Sequence, residues 1–196
     1  MIYTGVLAAV VSALAAECID NTAKQAWQRL IDNSLRSGRR PSVSPTDRME
    51  ADCWVHARLH SQLPPPLWNV LVARFSTHRA RRLNAIAALF PVVNSPASAL
   101  FRQKAITAWA IPQLKGVKAA DAGRQSLLEV KRSTDVIVLP ARFYDMTAWD
   151  NEGTPERTRR RWRANIAKDL EQMVDQALAL AEEILQAEGV LLDEAA

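Results

Sequence analysis

The sequence predicts a mainly α-helical, multi-helical protein with helix-turn-helix-like units and one small β-hairpin. Three observations carry that prediction. Trp162, Ile166, Leu170, Met173, Ala177 and Ile184 recur at three- and four-residue spacing, which places them on one face of a long helix. Elsewhere prolines, glycines and N-capping residues cut apolar-periodic segments to helix length. Only SLLEVK, residues 126–131, and DVIVLP, residues 135–140, have the β-rich composition of strands, with the polar run Arg132 to Thr134 between them as a hairpin turn.

Taken in order, the first helix runs from about Thr4 to Leu35 and stops at Gly38, with a break near Asp20-Asn21. Its second half puts Ala23, Trp27, Leu30 and Ile31 on one stripe. The small, polar and proline-containing stretch Gly38 to Asp47 reads as a linker. A helix follows Pro45 and carries MEADCWVHARLHSQL. The Pro64 to Pro66 run then leads into a helix over Leu67 to Phe75, and after Ser76-Thr77 a further helix extends to Pro91. These two form the first helix-turn-helix-sized unit. The next helix is capped by Ser95 with Pro96 at its first position; Leu100, Ile106, Ala110 and Trp109 face the core, and Arg102 and Lys104 stay outside.

After the hairpin, a short helix ARFYDMTAWD, the turn Asn151-Glu152-Gly153 and a long basic helix make the second unit. Thr154 is the expected N-cap and Pro155 the first helical residue, with Phe143, Met146 and Trp149 packing onto Trp162 and Ile166. The apolar stripe continues through DLEQMVDQALALAEEIL to about Ala187, as intramolecular core or as a dimer seam. The chain thus divides into an N-terminal helical segment at 1–37, the linker at 38–47, a helical domain with the first unit at 48–125, and the hairpin, second unit and long helix at 126–196.

Composition bounds the function. A chain of 196 residues, 48% hydrophobic and 23% charged, buries a real core and is not a disordered chain. A net charge of +4 is only mildly basic, so a nucleic-acid partner requires the positive charge to be locally concentrated. Two cysteines make no disulfide framework, and a reducing cytoplasm is the simplest setting. The apolar N-terminal run is no longer than a signal h-region and lacks a basic n-region. A buried small-residue helix, at the core or at a dimer contact, explains it better than a membrane span.

The arginines are locally concentrated. Arg157, Arg160, Arg161, Ala164 and Lys168 lie on the helix face opposite the apolar stripe, and that face continues as Glu171, Asp175 and Glu182. Guanidinium forks at a helix start suit phosphates and guanine edges, and Asn165 beside them suits an adenine edge. A solvated face paired with neighbouring acids, as Glu156 with Arg160, is the plainer alternative. Arg79, Arg81 and Arg82 form a second cluster suited to backbone contacts. Base stacking by one of the six tryptophans requires an exposed ring.

Other chemistry is poorly supported. Cys53, His56 and His60 share a helix face, but no companion ligand pair exists and three ligands on one helix do not enclose a zinc; no metal and no cofactor are expected. Asp121 followed by Glu129-Val130-Lys131 matches the carboxylate and lysine pattern of a Mg²⁺-dependent nuclease, but without the mixed sheet that the pattern needs. A strand with alternating charge on its solvent side explains the same residues. Phosphate-cradling glycine loops and nucleophile elbows are missing from the sequence. The expectation is a binding protein and not an enzyme, with the nuclease kept as an alternative.

Two resemblances sharpen this. The order Leu63, Trp68, Leu71, Arg74, then AIAAL and SPASALFRQKA, resembles the promoter-binding helix-turn-helix of sigma factors over about 45 residues, although the characteristic turn glycine is missing. KRSTDVIVLPARFYDMTAWD through GTPERTRRRWRANI to MVDQALALAEEIL resembles phage and prophage proteins that look like late-gene regulators of the antiterminator Q type. The second resemblance implies a phage-type, DNA-binding transcription regulator with double-stranded DNA as partner, RNA polymerase as a further partner, and homo-oligomerisation open. No membrane partner is expected. A phage assembly or scaffold protein that uses the C-terminal helix as an oligomer interface is the rival from another class.

Overall fold

A computed structural model describes residues 3–16, 45–113 and 137–191. Six α-helices stand among them: α1 (Val6–Ala16), α2 (Pro45–Gln62), α3 (Pro65–Phe75), α4 (Arg79–Leu89), α5 (Ala99–Ala110) and α6 (Glu156–Ala187). Two 3-10 turns, Ala141–Tyr144 and Met146–Trp149, precede α6. The protein is mainly α, as its periodicity predicts.

The 32-residue helix α6 is the spine, about 48 Å long at 1.5 Å per residue. Its inner face buries Ile166, Leu170, Val174, Ala177, Ala181 and Leu185 against α1, α2, α3 and α5. The apolar stripe is therefore intramolecular core and not a dimer seam. Helix α3 is the central partner, with Val70, Leu71, Val72 and Ala73 buried in succession; only a helix surrounded by others buries all sides at once. It begins two residues earlier than the proline run suggests, at Pro65, because first-turn N–H groups have no helical acceptor and prolines lose nothing there.

The buried residues from Tyr3 to Leu191 form one cluster. Helix α1 packs on α2, α3 and α6, burying Ala9, Val10, Ala13 and Leu14, so it shares this core rather than standing apart. An isolated parallel bridge joins Tyr3 to Leu191, and the Tyr3 hydroxyl donates to the buried Asp52 carboxylate at 2.6 Å. Burial first, then the hydrogen bond and negative charge of Asp52, raises the Tyr3 pKa above its ordinary 10.0.

Several element boundaries differ from expectation. Helix α1 is described only to Ala16, and residues 17–44 lie outside the described residues. Pro45, Thr46 and Asp47, read as the end of the linker, are the first turn of α2, where a proline again fits. Helix α5 starts at Ala99 with Ser98, not Ser95, as N-cap, its hydroxyl accepting from Phe101 N–H. Ser95 instead holds the preceding turn by accepting from Ala97 N–H at 3.3 Å. Leu100, expected in the core, is exposed, and its neighbour Phe101 is buried in its place.

The stretch 141–149 is not one short helix but two 3-10 turns with a break at Asp145. Of the expected hairpin only 137–140 are described, and they belong to no strand. The remainder, with Asp121, Glu129 and Lys131, lies outside the described residues. Among the described residues no helix is long and apolar enough to cross a membrane.

Candidate nucleic-acid interface

The start of α6 is built by the chain just before it. Asp150 accepts from Glu152 N–H at 3.1 Å and from Thr154 N–H at 2.7 Å, and Gly153 supplies the left-handed residue that turns the chain, with φ 69°. Burial, the largest single influence, pushes the Asp150 carboxyl up, but the hydrogen bonds from Glu152 and Thr154 and the nearby Arg159 together hold it below 3.8. Because Asp150 already takes the Thr154 N–H, the N-cap falls one residue later than expected, on Pro155. Its carbonyl accepts from Thr158 and Arg159 N–H.

An aromatic nest anchors the inner side of this helix start. Trp149 is buried, with its indole N–H donated to the Phe143 carbonyl at 2.6 Å. Phe101 of α5 stands edge-on to both Trp149, at 5.4 Å, and Trp162, at 5.6 Å. Trp149 and Trp162 thus meet through Phe101, a residue not singled out in the sequence analysis. The guanidinium of Arg163 lies 5.6 Å from the Trp149 ring centroid, and Arg159 reaches the Met146 carbonyl at 3.5 Å.

With the inner side fixed, the expected contact residues face solvent. Arg157, Arg160, Arg161, Asn165 and Lys168 are all exposed. Arg160 pairs with Glu156 at 2.6 Å, and both side chains remain more than 60% exposed, so that pair is weak and exchangeable. Among the described residues, Arg157, Arg161 and Lys168 have no ion-pair partner. Asn165 and Lys168 also line a cleft of about 260 Å³ with Asn94, Ser95 and Pro96 from the turn before α5. Asn94 was not singled out by sequence, and Ser95 only as a helix cap; their signal for this cleft was a polar pair in a turn.

The second arginine cluster is not what its sequence suggested. Arg82 is turned inward: its Nε donates to the Ala73 carbonyl at 3.0 Å and its Nη2 to the Ala110 carbonyl. Burial, then the neighbouring Arg74 guanidinium, lowers its pKa from 12.5. It ties the C-terminal ends of α3 and α5 together and is not placed for a phosphate. Arg79 is half-buried, and Arg81 is exposed. The rest of the outward face of α4 is Ala80, Leu83, Asn84, Ala87 and Ala88, a small and mostly apolar surface. The turn into α4 is made by Ser76, whose hydroxyl accepts from His78 N–H, and by His78, whose ring accepts from Arg81 N–H.

The histidines of α2 have a packing role. His56 and His60 stack on each other at 6.1 Å and both stand edge-on to Trp68 of α3. Among the described residues no three metal-ligating side chains gather.

Fold and site together define a multi-helical protein that presents a basic helix face on a packed core. No protein-family model matches the chain, and no curated protein or solved structure is significantly similar to it.

Proposed function

We propose that this protein binds duplex DNA through the outward face of the first half of α6 and acts as a transcription regulator. The observation that supports this best is the exposure of Arg157, Arg160, Arg161 and Lys168 on one side of a helix whose other side is anchored. Such a helix presents several cations without a backbone-ordering penalty on binding, and Asn165 beside them adds a base-reading amide. The regulatory role, in the late-gene antitermination sense, rests on the resemblance of the C-terminal half, with RNA polymerase as the further partner that role requires.

The test is fluorescence anisotropy on a random duplex, titrated with salt. Four phosphate contacts give a log–log slope of about −3.6. Replacing Arg160 and Arg161 by Ala should weaken binding to all sequences alike and bring the slope nearer zero by roughly 2. Binding with an unchanged slope in that variant would remove the assignment.

A further inference from the structure

The outward face of α6 changes sign along its length. Arg160, Arg161 and Lys168 occupy the first half, and Asp175, Glu182 and Glu183 occupy the second; all six are exposed. The order is symmetric about the midpoint between Glu171 and Gln172. Turned end over end, the helix places Arg161 against Glu182 and Lys168 against Asp175, while Ala164 meets Ala179. At 100° per residue, Arg161, Ala164, Lys168, Asp175, Ala179 and Glu182 lie within a stripe about 60° wide. Opposite charges match at both acid–base positions of the stripe, Arg157 falls against the uncharged Gln186, and the small Ala164 and Ala179 leave room on either side of the axis.

From this we infer that α6 is a self-complementary docking face whose partner is a second copy of this chain, lying antiparallel across a two-fold axis at Glu171-Gln172. An isologous interface requires each half of a patch to complement the other half, and this face does so by charge. A parallel pairing would instead set Arg161 against Arg161 and Glu182 against Glu182. The apolar stripe cannot serve, because it is already buried within one chain. Glu171, at the axis, is already held within the chain by the Trp109 indole N–H at 2.8 Å and by Arg74 at 3.7 Å, so its charge does not repel its own copy across the axis unscreened.

A contact made of exposed ion pairs is weak and salt-sensitive. It covers the arginines assigned above to DNA, so self-association and DNA binding exclude each other. That exclusion rests on the DNA reading, but the self-association does not.

Sedimentation of the full chain, from about 20 mM to about 500 mM salt, tests it. At low salt the mass should approach twice that of the single chain, and at high salt it should return to one. Arg161→Glu and Glu182→Arg, each reversing two symmetry-related contacts, should each weaken the dimer about tenfold. The double variant R161E/E182R should regain it. Circular dichroism melts confirm that each variant is folded. A single-chain mass at the lowest salt, a dimer indifferent to both reversals, or a double variant that fails to recover would each overturn the inference. Anisotropy on the same proteins separates the two readings. E182R should lose the dimer and keep DNA binding, whereas R161E/E182R should regain the dimer and bind DNA more weakly than the unsubstituted chain.

Discussion

Arg82 shows how much one guanidinium can organise. It donates to the last carbonyls of α3 and α5 at once, groups that a helix end leaves without intrahelical donors. Arg82→Ala should cost about 2–4 kcal/mol, because two charge-assisted hydrogen bonds vanish and two part-buried carbonyls lose their donor. Arg82→Lys should recover only part of that, since an ammonium does not match the fork that spans both acceptors. The urea midpoint should fall in both variants with the slope unchanged. In the sequence Arg79, Arg81 and Arg82 looked equivalent, yet the distinction was written in their spacing. Arg82 stands three, four and seven residues before the buried Ala85, Ile86 and Leu89, on the inward side of α4, whereas Arg81 does not. The charge cluster drew attention away from the helical period. Arg157, Arg160, Arg161 and Lys168 were placed correctly in solvent for the complementary reason: they stand opposite a strong apolar stripe.

At the scale of the element, the entry to α6 depends on the carboxylate of Asp150. Its folded pKa is lowered, so the contribution is fully present above the unfolded value near 3.8 and is lost as pH falls through the folded value. Acid should therefore fray the start of α6 before the core melts. Asp150→Asn should remove most of that acid dependence while weakening the turn at neutral pH, measured as hydrogen exchange at residues 152–159 across pH 3 to 7, roughly the carboxylate range. Long periodic elements were legible: the buried stripe of α6 is nearly the one its sequence predicts. Helix α5 was less so, because apolar residues lie on all its sides and periodicity cannot choose between Leu100 and Phe101. Ser95 and Ser98 both hold a backbone N–H, which explains why the first looked like the cap. The 3-10 turns were read as a helix because their apolar residues obey the same spacing; the break at Asp145, whose side chain accepts from Thr147 N–H, was the missed signal.

At the scale of the molecule, the expected separate segments merge into one core, since cohesion comes from contacts distant in sequence that no local pattern displays. The Tyr3 to Asp52 hydrogen bond is the clearest case. Tyr3→Phe should leave a buried carboxylate short of its donor and cost about 1–3 kcal/mol. The Tyr3 pKa is raised in the fold, so its contribution is complete below pH 10.0 and fades as pH rises above that value. Phenylalanine at this position should flatten the alkaline limb of the stability profile, read by denaturant melts from neutral pH upward. The bridge from Tyr3 to Leu191 also fixes an order in time. It closes a loop almost as long as the 196-residue chain, and the entropy of that closure is repaid only after the helices between have assembled. The contact is therefore expected to form late, after the transition state. Leu191→Ala, which strips the buried side chain from this end, should thus accelerate unfolding and leave the folding rate nearly unchanged, making this seam a determinant of how long the native state persists rather than of how fast it is reached.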